Sequence, residues 1–309
     1  MDDVIKLLLN SNNPSVVYRT QRDLLETEPD KALRQKILDS RQVQRILSKM
    51  HPDGYWLYRG MGAGIDYAMS SSTHFVLSYL SELGLDKSFD VIDKAVNRYL
   101  SIGGKEKWLS GPDYETHQSC LYAHNLRTFI MLGYKDDERI GLRIRTLLED
   151  VRRDNGYLCV RPAFGEQTKS CIRGTVKAIM AYAELPEYYA HESCRRTADY
   201  FLNRNVYYKL PEKKEKIRGG MATVFPFVIN TSLLEPLYAL SKMGYGDHPA
   251  LNDAWLSLES HRTDGGLYTL DWFAPSCFTP GKKGEPNEWV TLYALLALKY
   301  RKRGRTEKR

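Results

Sequence analysis

Apolar residues recur at helical spacing along almost the whole chain. Ile140, Ile144, Leu147, Leu148 and Val151 form one buried stripe of a helix. Phe89, Ile92, Val96 and Tyr99 do the same, as do Ile172, Val176, Ile179, Met180 and Ala183, and later Leu251, Trp255 and Leu258. Alternation of the strand type is nearly absent. The short β-prone piece Thr223 to Val228 contains a proline, which argues against a central strand. The pattern predicts an all-α protein.

The predicted helices come in pairs with a repeated joint. One ends at Leu83-Gly84-Leu85, another at Leu132-Gly133-Tyr134 and a third at Met243-Gly244-Tyr245, with Leu185-Pro186 in the same place once. Glycine just past a helix takes the left-handed conformation that satisfies the last carbonyls. Ser88, Asp136 and Asp247 are the expected caps of the partner helices. A second landmark precedes the first helix of a pair. It reads Asp53-Gly54-Tyr55-Trp56, then Asp154-Asn155-Gly156-Tyr157, then Asp264-Gly265-Gly266-Leu267-Tyr268. Weaker versions at Gly103-Gly104 and Gly219-Gly220 set an underlying period of roughly 50 residues, the range of solenoids and closed arrays.

The first helix of each pair is apolar around much of its circumference, as in Phe75 to Leu83, Leu121 to Leu132 and Leu233 to Leu240. The second is charged on one side. This predicts an inner ring lying between a cavity and an outer ring in water; an open superhelix of pairs would show the same pattern. With no linker in sight, 1–309 reads as one domain. It comprises an N-terminal helical cap over 1–50, about five helix-pair repeats over 51–300 and a basic tail over 301–309.

At this point the sequence resembles the prenyltransferase and squalene-oxidase repeat family, within the terpenoid cyclase and protein prenyltransferase superfamily. The likeness rests on the three glycine-aromatic turns, on the Leu-Gly-Tyr joints, and on Ser119-Cys120-Leu-Tyr-Ala-His124 and Ser170-Cys171-Ile-Arg-Gly174. It implies an α/α toroid of inner and outer helices around a central cavity, and an apolar, isoprenoid-like molecule as the small-molecule partner. The chain lacks the Asp-x-Asp-Asp acid of protonating cyclases. The nearest run to an ionising Asp-Asp-x-x-Asp cluster, Asp136 to Ile140, fails at its fifth position, and Met50 stands where the repeat's glutamine would be. No Asp-x-Cys pair matches the zinc ligands of protein prenyltransferases. Alternatives therefore remain open: a non-catalytic toroid that holds a ligand or a protein tail, or a zinc- or thiol-dependent transferase.

Two constellations carry candidate chemistry. His117, Cys120, Cys159 and Cys171 would complete a tetrahedral zinc set, although no Cys-x-x-Cys pair is present. The other reading of these cysteines is small buried packing residues. Arg161, Lys169 and Arg173 form a cationic rim suited to a diphosphate or carboxylate, with Trp56, His74, Tyr114 and Trp289 as aromatic lining. Ordinary surface charge and helix packing would place the same residues there.

Composition narrows the class further. Hydrophobic residues make up 42% and charged residues 27% of the 309, a globular composition. The net charge of +7 sits largely in the Lys209 to Arg218 loop and the C-terminal tail, and no nucleic-acid module accompanies it. The acidic start and the short apolar runs predict neither a signal peptide nor a membrane span. Five cysteines, an odd number, predict reduced thiols in a cytoplasm.

Overall fold

The computed structural model describes residues 2–56, 71–102, 119–158, 169–228 and 230–306. The described residues form thirteen α-helices: α1 (Asp2–Leu9), α2 (Pro14–Arg19), α3 (Lys31–Asp39), α4 (Arg41–Leu47), α5 (Thr73–Glu82), α6 (Asp90–Ile102), α7 (Ser119–Met131), α8 (Glu138–Glu149), α9 (Ile172–Tyr182), α10 (Glu192–Leu202), α11 (Leu234–Lys242), α12 (Asn252–Glu259) and α13 (Glu288–Thr306). A π-helical turn, Thr20–Leu25, continues α2. One antiparallel ladder pairs Tyr268–Thr269 with Pro286–Asn287.

The helices sort into two rings. α5, α7, α9, α11 and α13 pack each against the next, and α13 packs against α2 and its π-turn. The ring closes where Arg19 of α2 meets Glu82 of α5. The inner helices run parallel: His74 and Glu82 of α5 meet His124 and Arg127 of α7 in the same order, and ends lie near ends at Lys242 and Glu184. α6, α8, α10 and α12 pack on the outside of their inner partners. This is the α/α toroid, and it takes the N-terminal segment into its wall.

The inner helices are buried nearly all round, because they face both the axis and the outer ring. All ten residues of α5 are buried, as are Gly174 to Tyr182 of α9 and Leu234 to Ser241 of α11. The outer helix α8 keeps its stripe, with Ile140, Ile144 and Leu147 inside and Leu142 out.

Each glycine-aromatic turn is locked to the inner helix that follows it by one hydroxyl. The backbone N–H of Trp56 donates to Thr73 Oγ1 at 2.9 Å, that of Tyr157 to Thr175 Oγ1 at 3.0 Å, and that of Tyr268 to Thr291 Oγ1 at 2.9 Å. Val224 N–H donates to Ser232 Oγ in the same manner before α11. The hydroxyl thus takes up a buried backbone donor.

The joints are tight helix ends. Gly84 sits at φ +92°, and the N–H of Leu85 reaches back to Leu80 O. Gly133 and Gly244 repeat the geometry. The caps shift by one residue from the sequence expectation. Asp137 rather than Asp136 accepts from Arg139 N–H to open α8, and His248 rather than Asp247 accepts from Ala250 N–H. Asp247 instead meets Arg301 of α13 at 2.8 Å. The helix therefore runs through much of the basic tail, and Arg303 pairs with Glu26. No helix among the described residues is long and apolar enough to cross a membrane.

Candidate functional site

Charged side chains from the inner ring converge on its axis. Glu82 of α5 accepts from Arg19 Nη1 at 3.0 Å and from Arg127 Nη1 of α7 at 2.7 Å, and the Tyr293 hydroxyl of α13 donates to it at 2.5 Å. These four side chains are 0 to 4% exposed. Arg19 also pairs with Asp23. Glu184, just past α9, lies 3.4 Å from Arg127 Nε and 2.6 Å from Lys242 of α11. Lys177 of α9 pairs with Glu235 of α11, and its ammonium donates to Phe227 O at 3.2 Å.

Burial at these positions disfavours every isolated charge, so pairing decides the ionisation. Burial alone would raise Glu82, yet Arg127 and Arg19 hold it below the usual carboxylate range. Glu184 is drawn to about 2 by Lys242 and Arg127 against the same burial. Lys177 is lowered by burial in spite of Glu235. Four cations (Arg19, Arg127, Lys177, Lys242) thus meet four carboxylates (Asp23, Glu82, Glu184, Glu235), and Arg22 shares Asp23 with Arg19.

Beside this network lie two buried histidines, His74 at the start of α5 and His124 within α7. His74 Nδ1 is 3.1 Å from Tyr99 OH and 3.4 Å from Asn125 Nδ2. His124 lies with its ring centroid 5.5 Å from that of His74. Burial pushes His74 down to about 3, and holds His124 well below its ordinary value with help from His74, Lys177 and Arg127. Both are neutral imidazoles at any ordinary pH. On the α11–α13 side the axis is walled by aromatics: Phe225 stacks on Trp289 at 5.1 Å, and Phe227 meets Tyr293 edge-on at 4.6 Å.

The residues singled out from the sequence distribute as follows. His74 belongs to the axial group. Trp56 and Trp289 are both buried, Trp289 in the aromatic wall and Trp56 donating from its indole to Ile46 O at 2.8 Å. Lys169 and Arg173 are exposed at the start of α9. Cys120 and Cys171 are part-buried at the starts of the adjacent helices α7 and α9. Tyr114, His117, Cys159 and Arg161 lie outside the described residues. Among the described residues no three His, Cys, Asp or Glu side chains gather as a metal site.

Sequence reasoning missed Glu82, Arg127, Lys177 and Glu235. Each is a charge set inside, or at the end of, an otherwise apolar inner helix, one per successive repeat. That recurrence was a usable signal, since unpaired burial of such groups is prohibitive.

No protein-family model matches the chain, and no curated protein does. Among solved structures it is similar to a protein from Actinoplanes, at 14% identity and a TM-score of 0.44, over 97% of this chain and 87% of that one. It is also similar to the type II terpene cyclase MstE from Scytonema, at 11% identity and a TM-score of 0.33, over 84% of this chain and 96% of the cyclase. A variant of that cyclase in complex with geranylgeranyl dihydroxybenzoate gives 13% and 0.34, over 85% and 95%. At these values the toroid stands on its own helix contacts rather than on the likeness.

Proposed function

We propose that the protein is a prenyltransferase/terpene-cyclase-like toroid that takes a small apolar, isoprenoid-like molecule at its axis. The observation that carries this reading is the pairing, at the centre of one ring, of an aromatic wall with two neutral buried histidines. A ring held together for structure alone is more simply filled with aliphatic residues, and ionisable groups gathered with perturbed pKa values favour a functional site. Aromatic faces suit an apolar chain, and a few convergent polar groups orient its end.

The chemistry of the axis supports binding over proton-initiated cyclisation. Protonating an alkene requires a carboxylic acid that keeps its proton. Glu82 and Glu184 are held ionised by their cations, which is the opposite requirement.

Native mass spectrometry of the protein incubated with farnesol tests the reading. A one-to-one complex that survives desalting supports it, and extraction of the incubated mixture then reports turnover. Failure to form any complex with farnesol or its derivatives removes it. The same spectrum reports zinc: an excess of one ion, lost on replacing Cys120 and Cys171 by serine, would favour the metal-dependent reading instead.

A further inference from the structure

Between α10 and α11 the chain makes a hairpin on the outer wall. Tyr208 bridges Lys216 antiparallel, and Lys209 N–H donates to Glu215 O at 2.8 Å. The base is fixed: Tyr207 is buried, Ile217 packs on the core, and the Tyr208 hydroxyl donates to Asp253 of α12 at 2.8 Å. Every residue from Lys209 to Lys216 is exposed, so the tip adds nothing to the core. Lys209, Lys213, Lys214, Lys216 and Arg218 stand there against Glu212 and Glu215. Lys209 pairs with Glu215 at 2.6 Å; among the described residues no carboxylate pairs with the other four cations. Leu210 sits among these charges and is 44% exposed. The other large apolar side chains in water, Leu7, Leu25, Leu142 and Leu256, all lie on helical segments. The chain leaving the hairpin leads to a second edge of the same character. Thr223 N–H donates to Asp271 Oδ2 at 2.9 Å, and Val224 bridges Trp272. Trp272 and Phe273 are half-buried, and the Lys283 ammonium stands 5.3 Å from both rings.

We infer that the Lys209–Arg218 hairpin is a docking loop for an anionic lipid bilayer, its cations meeting the head groups and Leu210 entering between them. The inference does not depend on the reading of the axis. The chemistry of the loop selects this partner. A cation close to an anionic bilayer strengthens attachment about fivefold. A leucine held among such cations is carried to the acyl boundary, where its burial is favourable. The Trp272 and Phe273 edge suits the same interface, with apolar rings beneath a charged head. A nucleic acid would use the cations but would leave Leu210 in water. One leucine and four cations without a carboxylate make attachment weak and reversible, and salt weakens it by screening.

Co-sedimentation of the intact protein with vesicles is the test, using phosphatidylcholine alone and an equal mixture of phosphatidylcholine and phosphatidylglycerol. The protein is expected to pellet with the mixed vesicles and to stay in solution with the neutral ones. Replacing Lys213 and Lys214 together by glutamine is expected to lower the partition coefficient roughly twentyfold, the effect of two cations. Leu210→Ser leaves the charge unchanged and is expected to lower it about fivefold. All three side chains are exposed, so both variants are expected to melt with the natural protein. Equal pelleting with the two vesicle types, or pelleting with neither, overturns the inference. Mixed-vesicle binding that survives the lysine substitutions overturns it too. If Leu210→Ser leaves vesicle binding unchanged, or if single-stranded RNA is bound and the mixed vesicles are not, the hairpin is a charge patch for another polyanion and the inference falls. The proposed function is untouched by any of these results.

Discussion

At the scale of the residue, the two histidines and the locking threonines have the clearest consequences. His74 and His124 are neutral when folded, and His74 is pushed down to about 3. In the unfolded chain a histidine takes up its proton near pH ~6.5. Between those values the unfolded chain binds more protons, so stability is fully present above that pH and is lost as pH falls. The slope is about 1.4 kcal/mol per pH unit for each histidine. Denaturant titrations between pH 7.5 and 5 should show this decline, and His124→Phe should reduce its slope. A stability that stays flat over that range would contradict the neutral pair. Replacing Thr175 by valine removes the acceptor for a buried Tyr157 N–H and should cost about 1–3 kcal/mol by chemical denaturation. Neither residue type advertises such a role in the sequence. A threonine in a helix start and a histidine in an apolar run have many uses, and the partner in each case is over fifteen residues away.

At the scale of the element, the helix joints separate backbone strain from packing. A Cβ on Gly84 would sit 2.7 Å from the ring of Tyr18, whereas one on Gly244 would meet nothing within 4 Å. Both lie at positive φ. Gly244→Ala should therefore cost about 1 kcal/mol from strain, and Gly84→Ala distinctly more, because Tyr18 must also move. Equal melting temperatures for the two variants would show that α2 yields freely. The joints were legible because glycine past a helix end is a local requirement. The caps were misplaced by one residue at Asp137 and His248, since two adjacent capping residues satisfy the same local rule and only the helix's docking selects between them.

At the scale of the whole molecule, the axial ion network is the element that joins the repeats. Glu82 serves both Arg19 and Arg127, so one carboxylate couples α2, α5 and α7. Replacing Glu82 by glutamine removes the carboxylate shared by two buried cations and leaves only Asp23 for Arg19 and Glu184 for Arg127. It should cost about 3–5 kcal/mol, against under 1 kcal/mol for a surface pair such as Lys209 with Glu215. Comparable losses in thermal denaturation would contradict a dry axis. The N-terminal segment belongs to this same network, because α2 runs parallel to α13 and supplies Arg19.

The sequence by itself determined the local half of this protein: helices from their period, pairs from their joints, and inner and outer layers from the contrast in apolarity, a contrast that an open superhelix would share. Those features depend on neighbours within a few residues. Which side chains meet at the axis was decided only by the tertiary structure. Glu82, Arg127, Lys177, Glu235, Tyr293 and Arg19 come from six segments spread over the chain, and closing the ring is what desolvates them together. The same closure buried Trp56 and Trp289 and left Lys169 and Arg173 in solvent. Burial and charge pairing are properties of the closed ring, so no window along the sequence contained them.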